Sequence, residues 1–392
     1  MRLMFYSYCL GFFAKQSTVK IFLSCLVILF IFPSAHPPLY STATQVPVRP
    51  SGKLIILTLD GVRWQEIFRG ADPALLTDVT YTSDTSTMQM LYGGMDEKSR
   101  RQRLMPFLWN VVAGKGQLYG NRDLRNMMNV SNIYRCSYPG YHEIFTGNTD
   151  LAISSNKKKH NPHENVLEYL NGREAYAGKV AVFTSWDLFP YILGTERNKL
   201  VINSGYQQIS ETGSAVFASL NEVQTAVDNN EAGTRQDVLT YTLAREYLTK
   251  QRPDILFMGL GEMDEFAHAG SYDLYLEAIN RADRMIAELW NWVQSTPGYR
   301  NNTSLLITTD HGRGSRHNQW TSHGTFIKGS SQTWMALLGP GIEPTGESNH
   351  KDQLYQQQIA SLIAGLVGEN FGEAETTRFI NKKEEGLALS VK

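Results

Sequence analysis

Short apolar runs alternate with longer amphipathic segments along most of the chain. LIILTLD (54–60), KVAVFTSW (179–186), DILFMGLG (254–261), TSLLITTD (303–310) and WMALLGPG (334–341) read as buried strands. PFLWNVVAG (106–114), HENVLEYLNG (163–172), RQDVLTYTLAREYLTKQ (235–251), SYDLYLEAINRADRMIAELWNWVQ (271–294) and YQQQIASLIAGLVG (355–368) have helix-like patterning. Strand–helix alternation predicts an α/β fold, a doubly wound, mostly parallel central sheet flanked by helices. No internal repeat is present. Residues 70–104 are polar, Met-rich and poorly periodic, and are expected to form a small insertion over one end of the sheet.

The beginning of the chain breaks this pattern. Asp60 is the first acidic residue, and Arg2, Lys15 and Lys20 precede the apolar run IFLSCLVILFIF (21–32), which ends at Pro33, Ser34 and Ala35. A basic start, a short apolar run and a small-residue exit are the marks of a secretory signal. The run falls short of the roughly 20 residues of a spanning helix. Residues 1–35 are therefore expected to be a cleaved signal peptide, with an uncleaved membrane anchor as the alternative. Residues 36–52, rich in Pro, Ser and Thr, are expected to be a flexible lead-in, and 53–392 the catalytic domain. Cys9 and Cys25 fall in the leader, so the mature chain keeps Cys136 alone and forms no internal disulfide. These features predict an exported protein, periplasmic or secreted. A net charge of −1 gives no sign of a nucleic-acid partner.

Ligands of open parallel sheets bind at the carboxyl ends of the strands. LIILTL ends in Asp60, DILFMGLGEM in Asp264 and TSLLITT in Asp310, so three carboxylates are expected at one edge. Uncompensated buried carboxylates are costly, and a cation is the natural explanation. His268 follows Asp264 by four residues, His311 follows Asp310 directly, and His323 comes twelve residues later. Six Asp and His ligands are too many for one tetrahedral zinc and suit two Zn2+ per chain. Two such ions clamp the attacking and leaving oxygens of a phosphoryl displacement. In RCSYPGYHEIFTGN (135–148), Cys136 and Ser137 lie side by side. A free serine hydroxyl is a poor nucleophile, and Ser137 is the candidate if a cation holds its oxygen.

LDG at 59–61, a hydroxyl residue two before a proline and nine before Thr146-Gly147, D-x-x-x-H at 264–268, DHG at 310–312 and a late His323-Gly324 occur in that order. Together they resemble the alkaline phosphatase superfamily, and most of all its nucleotide pyrophosphatase/phosphodiesterase branch. The resemblance spans residues 54–324. It implies one zinc on Asp60, Asp310 and His311 with Ser137 bridging, and a second on Asp264, His268 and His323. It also implies a phosphoryl-oxygen donor about twenty residues after the nucleophile, for which Asn156 is the candidate. The branch usually carries Thr at the nucleophile and Pro-Asn after it, where this chain has Ser137 and Pro139-Gly140. The activity implied is a phosphodiesterase or phosphomonoesterase working through a covalent phosphoseryl intermediate on a small phosphate ester.

Plainer readings exist for single residues. Asp60 alone could cap a turn, Asp264 and His268 could be a helix-surface pair, and Lys157–Lys159 could be a solvated loop. Cys136 reads as a small buried residue beside the nucleophile. Arg313 reads equally as a substrate contact or a structural salt bridge. His142 and His163 have no evident partner, and Trp320 is expected to pack beneath the His323 loop. Competing functions are a sulfatase-like hydrolase, a phosphomutase, a membrane-linked transferase of phosphorylated head groups, and a non-catalytic binding protein. The sulfatase signature requires Arg where Tyr141 stands, mutases of this kind lack a leader, and a binding protein would be expected to have lost ligands.

Overall fold

The computed structural model describes residues 52–210, 214–227 and 233–372. The expected signal peptide and all of the lead-in but Gly52 lie outside these residues. Among the described residues there are ten strands: β1 Lys53–Leu59, β2 Gln117–Tyr119, β3 Met127–Asn129, β4 Val180–Thr184, β5 Val201–Ser204, β6 Ile255–Leu260, β7 Thr303–Thr308, β8 Met335–Leu338, β9 Gly346–Glu347 and β10 Gln353–Tyr355.

Eight of them form one sheet in the order β5-β4-β6-β1-β7-β8-β2-β9, and β10 pairs with β3 apart from it. The five strands from β5 to β7 are parallel, while β8 runs antiparallel to both β7 and β2. The sheet is thus mostly parallel, with helices on both faces. Alternate residues of one strand point to opposite faces. Ile55, Leu57 and Leu59 of β1 join one apolar cluster, and Leu54 and Ile56 join the other. The long helix Tyr272–Ser295 covers the first face with Tyr272, Tyr275, Leu276, Ile279 and Ile286. Helices Ser137–Thr146 and Gln358–Leu366 cover the second with Tyr141, Phe145, Ile359 and Ile363. Burying both faces explains why the central strands read as unbroken apolar runs.

The segment 70–104 holds three short helices, Pro73–Thr77, Thr85–Tyr92 and Glu97–Leu104. Asp72, Asp84 and Asp96 each accept a hydrogen bond from a backbone N–H of the first turn. Tyr81, between the first two, packs edge-on against Trp320.

Two expectations are corrected. The helical pattern at 355–368 begins at Gln358, because Gln353–Tyr355 pairs as β10. Asp264 does not end a strand. The chain turns at Gly261 into the helix Glu262–His268, which places Asp264 in its first turn and His268 at its end.

Candidate active site

Asp60 follows β1 directly, Asp310 and His311 lie two and three residues beyond β7, and Asp264 reaches the same edge from the helix after β6. Two groups of ligand atoms result, Asp60–Asp310–His311 and Asp264–His311–His323, each with its atoms within 4.8 Å of one another. His311 belongs to both. Its Nε2 lies 3.4 Å from Asp310 Oδ2, 3.7 Å from Asp60 Oδ1 and 4.0 Å from Asp264 Oδ1. His268 joins at the outer side, its Nε2 being 3.1 Å from Asp264 Oδ2 and 3.0 Å from His323 Nε2. All six residues expected as ligands meet at this edge.

The surrounding bonds fix which atoms face inward. Tyr141 donates its hydroxyl to Asp60 Oδ2 at 3.0 Å, and the Gly61 N–H donates to Asp310 Oδ1 at 3.1 Å. The other oxygens, Asp60 Oδ1 and Asp310 Oδ2, are buried without a hydrogen-bond partner among the described residues. His311 Nδ1 faces the Gly312 carbonyl at 3.0 Å, and His323 Nδ1 faces the Arg135 carbonyl at 3.1 Å. A carbonyl only accepts, so each Nδ1 carries the proton and each Nε2 offers its lone pair to the site. Buried acceptors with no donor are costly. This set of carboxylate oxygens and imidazole nitrogens fits divalent cations of the zinc type.

The electrostatics point the same way. Burial, then the charges of Asp310 and Asp264, push the Asp60 carboxyl well above the usual carboxylate range. Burial likewise raises Asp310. Burial and then His311 push the His323 imidazole well below its usual value. Asp264 is the exception: against the desolvation of its burial, Arg313, His268 and His323 hold it well below the usual range. Arg313 is wholly buried, ion-paired with Asp264 and bonded through Nε to the Trp320 carbonyl at 2.8 Å. That geometry gives it a structural salt bridge. Trp320 is fully buried against Tyr272 and Tyr275.

Ser137 opens the helix Ser137–Thr146, with Cys136 as the extended residue before it. Its Oγ lies 3.3 Å from His311 Nε2. The positive end of a helix favours negative charge on that oxygen. Asn156 arrives beside it and accepts at Oδ1 from the Tyr138 N–H at 3.0 Å, which leaves its amide nitrogen as the donor to offer. Gly140 has a steric reason to be glycine. A Cβ there would fall 2.4 Å from the Asp310 carbonyl oxygen. Buried Gln356 ties the same two segments together, donating to the Gly140 carbonyl at 3.0 Å and the Asp310 carbonyl at 2.7 Å.

Tyr141, Gln356 and the Arg135 carbonyl were not foreseen. Each acts through a partner far away in sequence, and no local spacing signals it. Two further expectations change. His142 has a partner, its Nδ1 lying 2.8 Å from Asn161 Nδ2, and His163 Nε2 lies 2.7 Å from Asp150 Oδ2. Of the three lysines, Lys158 pairs with Asp187 at 2.6 Å.

Residues 212–327, which contain Asp264, His268, Asp310, His311 and His323, match the model of the Metalloenzyme superfamily. No curated protein sequence matches the chain. Wild-type alkaline phosphatase PafA superposes with a TM-score of 0.56 at 11% identity, covering 86% of this chain and 100% of that one. A substituted form of PafA gives 0.57 with the same identity and coverage. The lipoteichoic acid synthase LtaP from Listeria monocytogenes gives 0.51 at 13% identity, over 83% of this chain and 74% of that one. The chain thus has the alkaline phosphatase fold. The metalloenzyme match lies on the part of that fold that supplies five of the six clustered Asp and His residues.

Proposed function

We propose that this protein is a two-zinc phosphoric ester hydrolase in which Ser137 is the nucleophile. The observation that carries the reading is the pair of orphaned buried oxygens, Asp60 Oδ1 and Asp310 Oδ2, beside His311 and a serine hydroxyl. Asp60, Asp310 and His311 would hold one ion next to Ser137, and Asp264, His268 and His323 the other. Bound cations lower the pKa of a hydroxyl and offset the charge of phosphoryl oxygens. Ser137 Oγ loses its proton to solvent and forms a bond to phosphorus, while the ester oxygen leaves with the electron pair of the broken P–O bond and takes up a proton. Water then displaces Ser137 Oγ from phosphorus, restoring the hydroxyl and releasing the phosphoryl group. The amide nitrogen of Asn156 would donate to a phosphoryl oxygen during both steps. The helix N-terminus at Ser137 favours the negative charge.

Tyr141 weakens the sulfatase alternative on structural grounds as well. The position where an arginine is required is filled by a buried phenol bonded to Asp60. The test is hydrolysis of a chromogenic phosphate monoester and a diester, side by side, before and after chelation. Turnover of either that is lost with the metal supports the reading. Absence of turnover on both in zinc-loaded protein contradicts it.

A further inference from the structure

Three segments that border the site carry large apolar side chains facing solvent. Ile133 is 52% exposed, Leu151 71% and Phe326 97%. Single exposed apolar residues are ordinary on any protein. These three are joined: the Tyr134 hydroxyl donates to the Leu151 carbonyl at 2.6 Å, and Arg135 Nη1 donates to the Thr325 carbonyl at 3.0 Å. The same segments hold the site. Arg135 supplies the carbonyl facing His323, and Ser137 follows two residues later. Lys157 and Lys159 follow Asn156, and Lys328 lies two residues beyond Phe326. All three lysines are exposed and have no ion-pair partner among the described residues. The one carboxylate on these segments, Asp150, is engaged by His163.

Apolar side chains that insert at the acyl boundary, flanked by free lysines, are the chemistry that recognises an anionic lipid surface. We propose that the mouth of the site docks on such a surface through Ile133, Leu151 and Phe326, with Lys157, Lys159 and Lys328 contacting the head groups. The substrate is then an amphiphilic phosphate ester presented at that surface, a consequence that rests on the hydrolase reading above. Docking itself does not need that reading.

Hydrogen–deuterium exchange of the full chain, with and without vesicles, tests the proposal whatever the state of the leader. Vesicles of phosphatidylcholine with phosphatidylglycerol should slow exchange in 131–135, 149–152 and 325–328 by about tenfold, and phosphatidylcholine alone should not. A variant carrying Ile133→Ser, Leu151→Ser and Phe326→Ser should lose this protection while turning over a soluble chromogenic ester as the parent does. Attachment to vesicles without protection of these segments overturns the proposal. So does protection that persists in the triple variant, or that is equal on neutral vesicles. Soluble-ester turnover by the parent, read in the same samples, separates failure of docking from failure of the hydrolase reading.

Discussion

Asp60, Asp310, His311 and His323 are each held by a bond made on the far side of the ligand atom. Tyr141 is the most direct case, because it touches Asp60 and cannot itself reach the ligand set except through it. Its proton is held firmly, since burial and then the charges of Asp60 and Asp310 push the phenol well above its usual value. Tyr141→Phe should therefore keep the fold and lower zinc affinity about ten- to a hundredfold, measured by competition with a chelator of known affinity. Unchanged affinity would remove Tyr141 from the site. The neighbouring Cys136→Ala should change stability by roughly 1 kcal/mol or less in denaturant titrations and leave turnover intact. Asp60, Asp310 and His311 were legible in the sequence because polar residues that close apolar runs stand out, and Asp264, His268 and His323 because of the spacing and order of their motifs. Tyr141 and Gln356 were not, since Tyr141 bonds to Asp60 across 81 positions and Gln356 to Gly140 across 216.

At the level of elements, four of the five parallel strands were readable, while β5 and the nucleophile's helix were not. Every residue of Ser137–Thr146 is buried, and Pro139 and Gly140 occupy its first turns. A helix buried all round has no amphipathic stripe to betray it. The strands β2 and β3 are three residues each, too short for a pattern, and nothing local distinguishes antiparallel β8 from its parallel neighbours. The buried helix also carries His142, whose imidazole is pushed from 6.5 down to about 4, chiefly by burial. The folded state thus binds the proton less readily than the unfolded chain. This contribution to stability is complete above about 6.5, falls as the pH drops toward about 4, and is constant below. His142→Gln should flatten that part of the melting temperature–pH profile. A slope identical to the parent's would show that His142 does not titrate in this way.

Over the whole molecule, a sheet buried on both faces leaves only its edges for chemistry, and the carboxyl edge is where the acidic residues gather. The order of motifs along the chain made that edge predictable. The choice between monoester and diester was not legible, because it depends on which side chains reach the substrate rather than on the ligand set. Export is the expectation that belongs to this scale, motivated by the acid-free leader and the single cysteine beyond it. Intact mass of protein from its native host should show a chain beginning near residue 36, and a full-length chain in the membrane fraction would contradict cleavage. The central claim is that Ser137 is phosphorylated during turnover. Its most direct test is an acid quench of zinc-loaded protein turning over a labelled phosphate ester, followed by peptide mapping. The account predicts label on Ser137 and none in Ser137→Ala, whose turnover should fall by several orders of magnitude with zinc content largely retained. Label on Cys136, or full turnover by Ser137→Ala, would contradict it.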